Sequence, residues 1–365
     1  MPPFDFSAAY PSTRAPVFAR NVVATSHPLA AQVGLRMLQQ GGNAVDAAIA
    51  AAACMTIVEP CSNGLGSDAF CILWDGQRLH GLNSSGPAPA AWTREALARK
   101  HGEAHMPRRG VDSVTVPGAV AAWAALAERF GRLPFADLMA PAAGIAARGY
   151  AVPVTVQQKW ALASKLGDLV SQPGFAATFL PRGRAPEVGE RFEMPPAARA
   201  LRLIGATRGE AFYRGEIGAA IAGWSREHGG AMTEADLAAF RPEWVEPLAQ
   251  DYRGHTLHEI PPNGQGIAAQ MALGMLAHFD LAALPVDGPE CQHLQIEAMK
   301  LAFADAYRFV ADRAHMEGPA ERLLDAGYLA SRAKLIDAKR AQHFGPGPAF
   351  AGGTIYLATA DESGM

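Results

Sequence analysis

The sequence predicts an α/β (α+β) fold, and three observations carry that prediction. Residues 69–74 and 77–82 read as two strands joined by Asp75-Gly76, a dipeptide that marks a tight hairpin because both positions tolerate positive φ. Residues 44–58 are nearly all small and apolar apart from Asp46, as in a central helix buried on several sides. From residue 93 to about 340, helical patterns follow one another, broken by Gly and Pro.

The 365 residues suffice for one large domain or two smaller ones. Apolar residues reach 49% and charged residues only 18%, below the roughly 25% of an average globular chain, so a sizeable core is expected. The pattern shows no internal repeat, low-complexity tract or clear interdomain linker.

In order along the chain, residues 1–20 form an irregular arm with several prolines. Asn21-Val22-Val23-Ala24-Thr25 reads as a short strand. Ser26 then offers an N-cap and Pro28 a first-turn proline, and the helix keeps an apolar face of Leu29, Val33, Leu35, Met37 and Leu38 until Gly41-Gly42 ends it. Asn43 can cap the central helix, with Asp46 as a second cap. After it comes a Gly/Ser loop, Cys61 to Asp68, then the hairpin, then the loop Asn83-Ser84-Ser85-Gly86-Pro87-Ala88-Pro89. Helices are expected at 93–99, 119–130 and 134–147, and through most of 150–240. An extended segment at 242–257 precedes helices at 267–278 and 291–311, with shorter ones ending near Arg340. Phe344 to Ala351 has no helical or strand period and is dense in Gly and Pro, so it reads as an exposed loop.

Several function classes are disfavoured. Net charge is −3 and there is no Lys/Arg run, which argues against nucleic acid as a partner. The apolar run 47–58 is too short to span a bilayer, so no membrane partner is expected. The start lacks a basic region followed by an apolar one, and a cytoplasmic location is expected. Cys54, Cys61, Cys71 and Cys291 match neither a zinc site nor a small disulfide scaffold, and they read as buried thiols. Gly64-Leu65-Gly66 lacks the third glycine and the lysine of a phosphate loop. His255 and His258 lie three apart on a strand-like segment, facing opposite sides, which disfavours a shared metal. No Gly-x-Ser-x-Gly is present, so a serine-hydrolase elbow has no support.

The stretch that suggests chemistry lies near the end. Gly352-Gly353 delivers the backbone to Thr354, which opens a strand-like run closing on Ser363-Gly364. A loop feeding Gly-Gly-Thr suits a self-cleaving precursor, because Gly353 takes unusual φ values at little cost and the Thr354 hydroxyl can attack the preceding carbonyl. The freed α-amine, with an ordinary pKa of about 7.7–8.0, would be the base that activates its own hydroxyl. On these residues alone a plain connector and a strand threonine remain open.

An ordered set of motifs resembles the γ-glutamyltransferase family. It comprises Gly41-Gly42-Asn43-Ala44-Val45-Asp46-Ala47-Ala48 with Val58-Glu59-Pro60, then Val116-Pro117-Gly118, then Gly131-Arg132-Leu133-Pro134 with Ala140-Pro141-Ala142. Asp251-Tyr252-Arg253-Gly254, Pro261-Pro262-Asn263-Gly264 and the run Leu294 to Asp305 continue it. The resemblance implies a four-layer αββα N-terminal-nucleophile hydrolase sandwich, incomplete in this chain. It implies a proenzyme cut between Gly353 and Thr354 into a large subunit, 1–353, and a small subunit of which 354–365 is the first strand. The small subunit of the same precursor would be a partner. Thr354 would attack a γ-glutamyl or related small amide and pass the acyl group to water or an amine, with no metal or organic cofactor.

Two departures shape the expectation. The oxyanion-hole donors and most substrate-binding residues that the resemblance implies lie beyond residue 365, so the chain reads as a fragment that is inactive alone. Family members specific for γ-glutamyl groups place an arginine in the loop after the hairpin, and residues 83–89 contain none. That loop supplies Ser84 and Ser85 as candidate substrate contacts. It also opens a rival reading as an acylase or amidohydrolase of oxamate-like amides. A further rival is an inactive scaffold.

Overall fold

The computed structural model describes residues 18–102 and 106–350. Helices and strands are mixed, as an α/β (α+β) chain requires. The chain forms two compact units that interleave in sequence: residues through Ala69 with Ser84–Glu243 make one, and Phe70–Asn83 with Trp244 onward make the other. The chain passes between them three times, so no single linker marks the boundary in the sequence.

The first unit is mainly helical, with one short antiparallel strand pair, Tyr150–Ala151 with Arg191–Phe192. Its centre is the Ala44–Val58 helix, with the bounds its sequence predicts. Asn43 accepts hydrogen bonds from the backbone N–H groups of Val45 and Asp46, and the Asp46 carboxylate accepts from Asn43 N–H at 2.8 Å. That reciprocal cap satisfies donors that a helix start leaves orphaned. Asp46 is fully buried and also accepts from the backbone N–H groups of Arg132 and Leu133 at 3.1 and 3.3 Å. A single carboxylate therefore caps one helix and holds the Gly131-Arg132-Leu133-Pro134 turn. Helices Pro28–Gln39, Ala119–Phe130, Phe135–Arg148 and Pro195–Ala206 complete this core, with Ile49, Ile57, Leu138, Met139, Leu201 and Ile204 almost completely buried.

Two expectations fail at the entrance to this unit. Residues 21–25 form no strand. The Pro28–Gln39 helix is capped by His27, whose Nδ1 accepts from Leu29 N–H at 3.2 Å. Ser26 instead turns its hydroxyl to Glu59, 33 residues away.

The second unit holds a three-stranded sheet ordered Ala69–Trp74, Leu79–Ser84, Glu243–Val245. Asp75 accepts from the N–H groups of Gln77 and Arg78 at 2.7 and 2.8 Å, and Gly76 sits at φ +100°, so the hairpin forms where expected. Its second strand begins two residues later than its sequence suggests. A second hairpin pairs Leu248–Tyr252 with His255–Glu259, turning through Arg253 and Gly254, both at positive φ. Gln270 ties that hairpin to the Ile267–Leu276 helix by donating to the carbonyls of Leu248 and Leu257. Met271, Met275, Ala298, Leu301 and Leu329 pack between this helix, Pro289–Phe309 and Ala326–Ala333. Among the described residues no helix is long and apolar enough to cross a membrane.

Candidate functional site

Gly353 and Thr354 lie outside the described residues. The segment leading to them is described as far as Phe350; it is irregular as its composition suggests, with Gly345, Pro346 and Pro348 exposed, but it is not exposed throughout. Gly347 and Ala349 are buried, and Phe350 is half-buried. Asp305, buried in the Pro289–Phe309 helix, accepts from Gly347 N–H at 2.7 Å. Asp305 also takes the Arg332 guanidinium through two contacts of 3.0 and 3.1 Å and the Tyr328 hydroxyl at 2.8 Å. Arg332 is itself buried and donates onward to the Gly345 carbonyl at 2.8 Å. Gly347 approaches these side chains closely: a Cβ would meet the Tyr328 hydroxyl and stand 2.9 Å from Arg332 Cδ, so both would have to shift. A charged pair this deep is stable because every acceptor on the carboxylate is used.

Phe350 closes the described segment against a socket in the same unit. Its ring lies edge-on to Phe309 with centroids 5.1 Å apart, and the Arg322 guanidinium sits 5.7 Å from its centre. Gly318 makes room for it, since a Cβ there would stand 2.7 Å from Phe350 Cδ1. Upstream, Glu297 is 1% exposed and accepts from Gln342 N–H at 3.1 Å and from Lys300 at 2.6 Å.

In the first unit, the loop carrying Ser84 and Ser85 runs against the Val116-Pro117-Gly118 motif. Ser84 is fully buried and donates to the Gly118 carbonyl at 2.7 Å. Its hydroxyl therefore holds two pieces of backbone together in this structure. Ser85 is half-buried. Val116 N–H donates to the Pro87 carbonyl at 2.9 Å, and the N–H groups of Gly118 and Ala119 both reach the Ser67 carbonyl. The buried Tyr213 hydroxyl donates to the Pro117 carbonyl at 2.7 Å and accepts from Ala121 N–H at 2.9 Å. The motif thus fixes the loop from Ser67 and Ser84 to Pro87.

The same unit contains a cavity of about 660 Å³. Alanines of the central helix, including Ala44, Ala48 and Ala51, form one wall, and Ser26, Glu59, Ser62, Asn63 and Asp68 give it a polar end. Glu59, the acid of the Val58-Glu59-Pro60 motif, accepts from Ser26 at 2.5 Å and Lys159 at 2.9 Å. Burial pushes its carboxyl up, but hydrogen bonds from Ser26, Lys159 and Ser62 and the Lys159 charge outweigh that and hold it below the usual range. His27 beside it is lowered, chiefly by burial and against the Glu59 charge.

A depressed carboxylate contributes stability that is present above its unfolded pKa of about 4.3 and lost as pH falls through the folded value. We therefore expect Glu59→Gln to lower the melting temperature at pH 7 and to flatten its decline between pH 5 and pH 3. Thermal melts across that range check this, and equal slopes for both proteins would contradict it.

The cysteines are free. Cys54 and Cys291 are buried as expected, and burial pushes the Cys54 thiol up to about 12. Cys61 is exposed and Cys71 intermediate, so the reading of four buried thiols holds for only two. Among the described residues no cluster of His, Cys, Asp or Glu is arranged to hold a metal. The partners of Glu59 and Asp305 are what sequence reasoning missed: both acids fall inside the family motifs, but nothing local shows which groups they bind.

The profile of the γ-glutamyltranspeptidase family matches residues 30–365. The glutathione hydrolase-like YwrD proenzyme of Bacillus subtilis is 36% identical over 320 residues, covering 87% of this chain and 60% of that protein. The oxamate amidohydrolase proenzyme of Klebsiella pneumoniae is 35% identical over 358 residues, 96% of this chain and 66% of that protein. The crystal structure of cephalosporin acylase from Bacillus halodurans superposes with a TM-score of 0.85 at 45% identity, covering 94% of this chain and 66% of that one. The fold is thus that of the N-terminal-nucleophile hydrolases, and the chain belongs to the γ-glutamyltranspeptidase family, whose members include hydrolases, amidohydrolases and acylases that act on amides. It spans about 60 to 66% of the length of these relatives.

Proposed function

We propose that this chain is the large subunit, 1–353, and the first strand of the small subunit, 354–365, of an amide-cleaving proenzyme whose nucleophile is Thr354. The observation that carries the reading is the family match, which runs in order through Gly353-Thr354 to the last residue. In the maturation step the Thr354 hydroxyl adds to the Gly353 carbonyl carbon. The C–N bond breaks as the hydroxyl proton passes to the departing amine, and an ester forms. Water then cleaves the ester, leaving a Gly353 carboxylate, the Thr354 hydroxyl and a free α-amine.

In turnover the α-amine takes the hydroxyl proton while the oxygen attacks a substrate amide. The substrate C–N bond breaks, its amine leaves with the proton, and the acyl-enzyme passes its acyl group to water or to an amine. The donor is a γ-glutamyl compound or a related small amide. The chemistry needs no metal or organic cofactor, since the amine supplies the base. The remaining small subunit of the same precursor would complete the site.

A second reading, an acylase or amidohydrolase without γ-glutamyl specificity, is favoured by one feature. Residues 83–89 offer no arginine for a two-point grip on an α-carboxylate, and the Ser84 hydroxyl is engaged by Gly118. The test uses the complete precursor. Intact-mass measurement should find scission before Thr354, and a chromogenic γ-glutamyl anilide assayed beside simple amides identifies the donor. Turnover of simple amides alone selects the second reading, and an uncut, inactive product selects a scaffold.

A further inference from the structure

The Pro289–Phe309 helix carries two buried carboxylates about two turns apart, and the proposed amide chemistry uses neither. Each gives an oxygen to a backbone N–H of the segment that leads to Gly353: Glu297 to Gln342 and Asp305 to Gly347. Arg332, held by Asp305, adds a bond to the Gly345 carbonyl, and Lys300 lies 5.3 Å from the centre of the Phe344 ring. Phe350 ends the run in its socket of Phe309, Gly318 and Arg322. The irregular nine-residue stretch from Gln342 to Phe350 is thus fixed along one helix by charge, backbone hydrogen bonds and a half-buried ring.

We propose that Glu297, Asp305, Arg332 and Phe350 are positioning residues for self-scission. This rests on the reading of Thr354 as the nucleophile. Gly353 is three residues beyond Phe350, and three extended residues reach no more than about 10 Å. The Phe350 socket therefore confines the scissile peptide to a small volume. The attack needs the hydroxyl within about 3–3.5 Å of the carbonyl carbon and correctly aligned, and a misplacement of about 1 Å can cost a hundredfold in rate. A tail free from Gln342 onward would sample that geometry far less often. The anchoring falls on the side of the bond that becomes the new C-terminus, the side of the carbonyl under attack.

The experiment follows scission of the complete precursor in time by intact mass after cell-free synthesis, with its melting temperature measured in parallel. Asp305→Asn and Phe350→Ala are expected to slow scission about tenfold or more. Phe350→Tyr, which keeps a ring in the socket, is expected to restore most of the rate lost in Phe350→Ala. Phe350 lies at the rim of the core, so Phe350→Ala keeps the test decisive where Asp305→Asn fails to fold. Wild-type rates in Phe350→Ala, or equal slowing in Phe350→Tyr and Phe350→Ala, overturn the proposal. A precursor that carries no substitution and stays uncut before Thr354 refutes the underlying nucleophile reading instead.

Discussion

A complete precursor carrying Thr354→Val is expected to remain one chain across the Gly353–Thr354 bond and to lose amide turnover by at least ~10⁴-fold, the scale seen when a covalent nucleophile is removed from a hydrolase. Valine replaces the hydroxyl with a methyl group and keeps the β-branched shape, so the substitution removes the oxygen and leaves side-chain size and shape nearly unchanged. Two losses then coincide. Without the oxygen there is no ester intermediate and no scission, and without scission the α-amine stays in a peptide bond and cannot act as a base. Thr354→Ser separates them, since it retains an oxygen nucleophile and should split and turn over more slowly. Intact mass reports the first event and the amide assay the second. A valine precursor that still splits before residue 354, or still turns over amides, ends the nucleophile assignment.

How much of this could be read from the sequence depends on how far each interaction reaches along the chain. The hairpin at Asp75-Gly76 was legible because the Asp75 carboxylate bonds the N–H groups two and three residues on. The Ala44–Val58 helix was legible because its cap, Asn43, bonds within its own first turn. Residues 21–25 have strand-like composition but no ladder partner among the described residues, and composition cannot supply one. Ser26 looked like a cap because serine usually is one, and Glu59 claimed it from 33 residues away. The loop from Phe344 to Phe350 is irregular as expected but exposed only in part, for the same reason. Gly and Pro do mark irregular backbone there, but whether that backbone is exposed depends on Asp305, 42 residues from Gly347. Thr354 itself was singled out by a family resemblance, because a threonine after two glycines has no local pattern that separates a nucleophile from a strand residue.

Gly118→Ala should test the same lesson at the largest cost to stability. Gly118 has φ −103° and ψ −21° just before the Ala119–Phe130 helix, a conformation that alanine adopts without strain. Propensity alone would score the change as neutral or stabilising, by up to about 1 kcal/mol. Packing reverses the sign. An added Cβ would fall on the Ser84 carbonyl oxygen, 2.7 Å from its carbon and 3.0 Å from the Ser84 hydroxyl. On the facing side, a Cβ on Gly86 would fall on the Val116 carbonyl, and Gly86 is held at φ +77°. Both obstacles are backbone, so no rotamer change relieves them. Relief means separating Ser84–Pro87 from Val116–Gly118, which breaks the Ser84–Gly118 and Val116–Pro87 hydrogen bonds; Ser84, Val116 and Gly118 are buried, and a buried group left unmet costs about 1–3 kcal/mol. We expect Gly118→Ala to lose more than about 4 kcal/mol or to fail to fold. Gly66→Ala, whose Cβ meets nothing within 4 Å, should stay within about 0.5 kcal/mol in the same urea titration. If the two variants unfold at the same urea concentration, the close backbone contact does not hold the candidate substrate loop in place, and Ser84 and Ser85 must be positioned by something else.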